Sequence, residues 1–469
     1  MQPGEAAQAA PANRSDGAEG AGRESGGRRV VVTGVGAVSG FGWGVEALWQ
    51  GLHAGATAIR PISRFDVAGH RTRLAAEVPA ASVSPAGHPA GPAAARATAG
   101  RRPLSLADRF ALAAAGEALA AAGLGPALGT LPEGAAGVFF GSSTGGMWES
   151  EGFLAGVFEG RRGSLRAVAL QQVNGPGDAV ARSLGVTGPV QTVSSACASG
   201  ALAIAAALES LRCGEVEIAL AGGSDSLCQL TYAGFNSLRS VDEAPCRPFR
   251  AGRAGMSMGE GAAVLVLEPL ERAVARGALP LAELAGAGSA CDAFHMTAPE
   301  PEGAGAAAAI AAALADAGLA PEAIDFVNAH ATGTPLNDAA EWRALLGVFG
   351  ERAGRIPVTA TKAAVGHLLG CSGAIEALVT VLSLARGELH PVPAVPAASA
   401  VPAASAASAG SATSATSAEV DPIDDACPVA LVTGRPLAMP AARAALSTSL
   451  AFGGSNAALV FTRWTGASP

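Results

Sequence analysis

Apolar and polar positions fall into short blocks along this chain rather than into one long period. Residues 1–27 are small and polar without periodicity and are expected to form a tail. RRVVVTGVGAVSGFG then predicts a buried strand at Val30–Thr33, a Gly-rich turn and an amphipathic helix from Val45 to His53. A further helix is predicted over 105–122, ended by Gly123. Short apolar runs (GVFFG, IALAGG, AAVLVLE, FVNAH, ALVFT) alternate with Ala-rich helical segments, which is the pattern of a layered α/β fold. Two irregular stretches interrupt it. One is 79–100; the other, the Ala/Ser/Pro-rich 393–420, is expected to be a solvated insert before the last strands.

An internal match adds a second level of organisation. SGALAIAAALESLRCGE from Ser199 and SGAIEALVTVLSLARGE from Ser372 align without a gap, sharing Ser, Gly, Ala, Leu and a closing Gly-Glu. Each starts at a small-residue turn and runs as an apolar helix to a glycine. A helix apolar all round is packed on all sides, so the pair predicts duplicated halves with their central helices buried between sheets.

Composition narrows the function classes. Hydrophobic residues make up 49% and charged ones 15%, with 62 glycines, so the core must be built from closely packed small residues. A net charge of −8 without an Arg/Lys run gives no footprint for nucleic acid. The seven cysteines are scattered and never spaced as CxxC, which fits neither a disulfide framework nor a zinc site. With no signal-like N-terminus and no run of 18 apolar residues, a cytoplasmic chain without a membrane span is expected. Of 31 basic residues one is a lysine, Lys362.

Four segments carry candidate chemistry. VSSACASGALAI places Cys197 at the start of a buried helix, where the helix N-terminus is expected to lower the thiol's pKa. VNAHATGTPLNDAAE puts His330 at the end of a strand, followed by the hydroxyls of Thr332 and Thr334. VTATKAAVGHLLGCSGAIE sets Lys362 before His367, with Glu376 beyond. LSTSLAFGGSNAALV is a Gly-Gly turn between strands whose N–H groups could reach an oxyanion. A nucleophile and two imidazoles are the parts of covalent acyl chemistry. A dinucleotide-binding dehydrogenase is disfavoured: TGVGAVSG lacks GxGxxG spacing, and no YxxxK pair exists.

Together with GSSTGG (141–146), RPFRAGRAGMSMGEGAAVLVLE (247–268) and DAFHMTAP (292–299), these segments resemble the β-ketoacyl-[acyl-carrier-protein] synthases of the thiolase-like superfamily, in their discrete type II form, over about residues 28–463. The resemblance implies a five-layer αβαβα sandwich of two halves, 28–278 and 279–465, the second holding the insert at 393–420. It implies that Cys197 accepts an acyl group, that His330 and His367 serve the condensing step, and that Lys362 orders the site through Asp338, Glu341 and Glu376. Thr332 and Thr334 would hold the 4′-phosphopantetheine arm of an acyl carrier protein, and Phe452 would act as a gate whose N–H joins that of Cys197 in an oxyanion hole. Leu450 and Ala451 depart from the Phe and Gly that commonly precede this phenylalanine, putting the gate's mobility in question. No metal or bound cofactor is implied. The partners implied are the carrier, met by a basic patch for which Arg161, Arg162 and Arg166 are candidates, and a second subunit in a homodimer or in a heterodimer with a chain-length-factor-like chain. A thiolase shares the fold and cysteine but not the HATGT and GHLLG histidine pair. A silent chain-length-factor-like subunit lacks the nucleophile.

Overall fold

The first strand is longer than its sequence suggests: β1 spans Val30–Ser39, because Gly34 and Gly36 are packing positions rather than a turn. They face helix α1 (Leu106–Ala121) so closely that a Cβ at Gly34 would lie 2.2 Å from the Ala118 carbonyl oxygen, and one at Gly36 2.0 Å from that of Ala114. Helix α1 begins in a capping box: Ser105 Oγ accepts the Asp108 N–H at 3.0 Å, and the Asp108 carboxylate accepts the Ser105 N–H at 2.9 Å. The computed structural model describes residues 27–80, 103–125, 128, 131–394 and 420–466. The expected tail (save Gly27), most of the 79–100 stretch and most of the 393–420 insert lie outside these residues.

The first half continues with β2 (Ala136–Gly141), α2 (Gly175–Leu184), β3 (Val190–Val193), α3 (Ser199–Arg212), β4 (Ile218–Asp225), α4 (Gln229–Ser237) and β5 (Gly261–Pro269). The second half comprises β6 (Ala282–Cys291), α5 (Ala304–Ala317), β7 (Phe326–Asn328), α6 (Pro335–Phe349), β8 (Pro357–Thr359), α7 (Ser372–Arg386), β9 (Ala430–Leu431), β10 (Ala444–Leu450) and β11 (Ser455–Arg463). Outward from their junction the halves run in the same order, β1-β5-β4-β2-β3 and β6-β11-β10-β7-β8, with β9 added at the second edge. Strands β1 and β6 pair only at Val31–Glu283 and Val32–Ala282, so the halves separate into two sheets beyond that point.

The duplication extends to packing detail. Gly286 and Gly288 on β6 face Ala313 and Ala309 of α5 as Gly34 and Gly36 face α1, and both strands carry a bulge just before the first glycine of the pair. Helices α3 and α7 fill the space between the sheets and touch strands of both. There Gly200 meets Ala374 while Gly373 meets Ala201, each with a would-be Cβ 2.8 Å from a backbone nitrogen. The contact is self-complementary, as at a two-fold axis. Helices α1 and α2 cover one outer face and α5, with α6 packed on it, the other, giving the five-layer αβαβα sandwich. The segment Leu369–Arg386 is long and apolar enough to cross a membrane, but it is α7 with its preceding turn, buried in the centre.

Candidate active site

Each central helix is preceded by a tight turn, and the first turn carries Cys197. Strand β3 leads through Ser194 and Ser195 into Ala196–Ala198, with Ala196 at φ 44°, before α3 starts. The equivalent turn before α7, Leu369–Cys371, begins with Leu369 at φ 54° and places Gly370 where the first has Cys197. Ser199 Oγ accepts the Ser195 N–H at 2.8 Å and donates to the Ala196 carbonyl at 2.6 Å, which holds the strained residue in place.

The Cys197 thiol is 6% exposed, and its ionisation differs from the sequence expectation. Burial pushes it up to about 11, although the Lys362 ammonium and the backbone N–H of Phe452 pull the other way. The field at a helix N-terminus is worth about 1 kcal/mol and does not offset the loss of hydration. Cys197 therefore rests as a thiol, not a thiolate. The backbone N–H groups of Phe452 and of Cys197 itself both favour the ionised sulfur.

The two histidines come from loops that follow successive strands of the second half, His330 after β7 and His367 after β8. Cys197 Sγ and one ring nitrogen each of His330 and His367 lie within 4.8 Å of one another, and the rings stand nearly perpendicular at 89°. His367 Nδ1 accepts the Leu369 N–H at 3.0 Å, which leaves the proton on Nε2, a buried atom without a protein partner. His330 Nδ1 lies 3.0 Å from the Lys362 ammonium, which can only donate, so its proton is on Nε2 as well. Burial, and then the Lys362 charge, depress both rings well below the usual histidine range. Both are neutral N–H donors aimed at one small volume.

Of the three carboxylates expected around Lys362, Glu376 is the one that pairs with it among the described residues. Lys362 forms a buried ion pair with Glu376 and also donates to the His330 carbonyl at 2.7 Å. Glu341 accepts the N–H groups of His330 and Ala331 at 2.7 and 2.8 Å and the Thr448 hydroxyl at 2.7 Å, fixing a turn in which Ala331 has φ 43°. Asp338 makes no contact with Lys362. It accepts the N–H groups of Phe249 (2.8 Å) and Gly333 (3.1 Å) and faces Arg253, so it braces the loop rather than the lysine. Thr332 and Thr334 touch each other through their hydroxyls at 2.9 Å, and Thr334 caps α6.

Phe452 opens the turn Phe452–Gly454 between β10 and β11, and its ring lies 5.7 Å from that of Phe235 on α4. The DAFHMTAP loop holds this turn: Gly453 N–H donates to the Met296 carbonyl and Asp292 N–H to that of Gly454, each at 2.8 Å. Ala451 is extended (φ −132°, ψ 154°), a conformation open to any residue. Arg161, Arg162 and Arg166 are exposed, and Arg161 is paired with Glu159. By softness, Cys197, His330 and His367 could hold a thiophilic cation, but the adjacent ammonium of Lys362 opposes it. Sequence reasoning missed Thr448 and Asp225, whose roles come from long-range contacts, and Ser372, whose hydroxyl lies 3.0 Å from Nδ1 of His367 five residues before it.

Comparison with known proteins agrees with this geometry. Residues 27–273 match the family model for the N-terminal domain of β-ketoacyl synthase, and 281–395 that for its C-terminal domain. The chain is 36% identical over 382 residues to nodulation protein E of Rhizobium meliloti (strain 1021), covering 78% of this chain and 88% of the relative. It is 34% identical over 451 residues to the 3-oxoacyl-[acyl-carrier-protein] synthase 2 of Synechocystis, covering 93% and 98%. Among solved structures, the ishigamide ketosynthase/chain length factor superposes with a TM-score of 0.79 at 32% identity, over 93% of this chain and 100% of that one. This chain belongs to the β-ketoacyl synthase family.

Proposed function

We propose that the protein catalyses decarboxylative Claisen condensation of an acyl group with malonyl-[acyl-carrier-protein], giving 3-oxoacyl-[acyl-carrier-protein] and CO2. The observation that carries this is the convergence of the Cys197 sulfur with one ring nitrogen each of His330 and His367 within 4.8 Å, both rings being held neutral by burial and the Lys362 charge. Cys197 sulfur attacks the carrier thioester, an S–acyl bond forms, and the carrier thiol leaves with the proton. Malonyl carrier then loses CO2, and the electron pair of the broken C–C bond moves onto the thioester oxygen. His330 and His367 donate to that oxygen, each well-placed donor being worth about 3 kcal/mol. The enolate carbon attacks the acyl carbonyl, whose oxygen is met by the N–H groups of Cys197 and Phe452. Collapse releases Cys197 as thiolate, which is reprotonated.

In this reading the halves 28–278 and 279–465 act as one unit. Thr332 and Thr334 line the path of the 4′-phosphopantetheine arm, no further cofactor is required, and the carrier meets exposed arginines at Arg161, Arg162 and Arg166. A second subunit completes the assembly, either a copy of this chain or a chain-length-factor-like partner, in the cytoplasm. A silent chain-length-factor-like role for this chain itself is disfavoured by Cys197. Incubation with a mass-tagged acyl-carrier thioester and peptide mapping tests the proposal. The tag is expected on Cys197, and a tag elsewhere, or none, would overturn it.

A further inference from the structure

The GSSTGG segment has no part in the steps above, yet it is built around a single charge. The Asp225 carboxylate, at the end of β4, is fully buried. It accepts six donors. Five come from this segment: Ser142 Oγ at 2.7 Å, the Ser143 N–H at 2.9 Å, the Thr144 N–H and Oγ1 each at 2.9 Å, and the Gly145 N–H at 3.3 Å. The sixth is the Gly370 N–H at 2.7 Å, from the turn before α7. Burial raises its pKa, and hydrogen bonds from Thr144, Ser142 and Ser143 lower it. The geometry is that of an anion nest whose anion belongs to the protein.

Two branches leave this nest, one towards each reacting group. Gly370 follows Leu369, whose N–H donates to His367 Nδ1 at 3.0 Å and so determines that the ring proton sits on Nε2. Ser143, whose N–H is held by Asp225, donates its hydroxyl to the Ala196 carbonyl at 3.1 Å, the peptide that enters Cys197. Both turns start with a non-glycine residue at positive φ, Ala196 and Leu369, so each relaxes unless something outside it holds it. The space allows no slack: a Cβ on Gly370 would lie 2.7 Å from the Ser143 nitrogen and 2.8 Å from Asp225 Oδ2.

We infer that Asp225 is a positioning residue that fixes the nucleophile turn, through Ser143, and the His367 turn, through Gly370, in one mutual geometry. It touches no reacting atom. An asparagine in its place keeps the shape but presents an NH2 group to N–H donors; because Ser143 and Gly370 share this one group, the side chain must shift and both branches move with it. Misplacement of a reacting group by about 1 Å costs up to about a hundredfold in rate.

The inference rests on the ketosynthase reading, and two half-reactions test it separately. These are acylation of Cys197 from an acyl-carrier thioester, and decarboxylation of malonyl carrier, which needs His367. In Asp225→Asn, with circular dichroism and chromatographic behaviour like the parent, kcat is expected to fall about 10- to 100-fold in both with KM unchanged. Ser143→Ala cuts only the branch to Ala196, so acylation should fall about tenfold while decarboxylation stays within about twofold. Unchanged kcat in a folded Asp225→Asn protein, or equal losses in both half-reactions for Ser143→Ala, would overturn the inference. If Asp225→Asn does not fold, the Ser143→Ala split still decides. A parent protein inactive in both half-reactions would instead remove the ketosynthase reading.

Discussion

The Lys362 ammonium donates to Nδ1 of His330 at 3.0 Å and to the carbonyl oxygen of the same residue at 2.7 Å. One side chain thus sets the ring's tautomer and holds the peptide on which the ring is mounted. Its third contact is the buried carboxylate of Glu376. Lys362→Met leaves that carboxylate buried without a partner, at a cost of about 3–5 kcal/mol. The melting temperature should fall and malonyl decarboxylation should drop by about a hundredfold. Adding Glu376→Gln should restore most of the thermal stability and none of the turnover. Recovery of turnover in the double variant would show that Lys362 acts only by neutralising Glu376.

The elevated thiol of Cys197 has a kinetic signature. Only the thiolate reacts with iodoacetamide, and with a pKa of about 11 its fraction grows about tenfold per pH unit up to pH 10. Alkylation of Cys197, followed by mass spectrometry to separate it from the exposed Cys213 and Cys291, should rise through that range without levelling. Lys362 favours the thiolate, so Lys362→Met should slow alkylation at each pH. A plateau below pH 8 would contradict the burial argument.

Removing the sulfur separates the two halves of the chemistry. Cys197→Ala should abolish acylation and condensation but leave malonyl decarboxylation, because His330 and His367 take their orientation from Lys362 and Leu369 rather than from the thiol. His367→Ala should remove decarboxylation by at least about a hundredfold. Product analysis for released CO2 distinguishes the outcomes, and decarboxylation that survives His367→Ala would refute the role given to that ring.

The glycines facing the outer helices tie composition to stability. A Cβ at Gly36 or Gly288 would meet a helix carbonyl oxygen at 2.0 or 2.3 Å, so alanine at either position must push a strand from its helix. Gly36→Ala and Gly288→Ala should each destabilise by at least about 3 kcal/mol in denaturant unfolding. Gly185 has φ 66° but nothing within 4 Å, and Gly185→Ala should cost only about 1 kcal/mol. Similar losses at all three would mean that backbone strain, not close approach, decides.

How much of this was legible in the sequence follows from the range of each interaction. The duplicated helices at Ser199 and Ser372 were readable because their packing writes itself along consecutive residues. Cys197 sits just before a helix and His330 just after a strand, where local pattern exposes them, and His367 stands in the Gly-rich turn that leads to the second of the duplicated helices. Gly34 and Gly36 read as a turn because glycine in a strand and glycine in a loop look alike until the facing Ala114 and Ala118 are known. Asp225 takes its donors from 80 to 145 residues away, and Asp338 joins its own loop at Gly333 to Phe249, 89 residues away, so these long-range contacts leave no local trace. The thiol's ionisation was misjudged because a helix start is visible in sequence and depth of burial is not.

The turn after Phe452 gives a graded test of the gate. Gly453 has φ 84° with open space around it, whereas Gly454 has φ 76° and a would-be Cβ 2.8 Å from the Asp292 Cβ. Gly453→Ala carries only the cost of a left-handed residue, about 1 kcal/mol. Gly454→Ala adds a collision with the loop whose Asp292 N–H is bound to the Gly454 carbonyl, and the turn must shift. The shift carries the Phe452 N–H away from Cys197, which removes one of the two oxyanion donors in the proposed mechanism. The kcat for acylation should therefore fall at least about tenfold in Gly454→Ala and less than about threefold in Gly453→Ala. Equal effects would mean that flexibility of the turn, rather than the placement of its N–H, sets the rate.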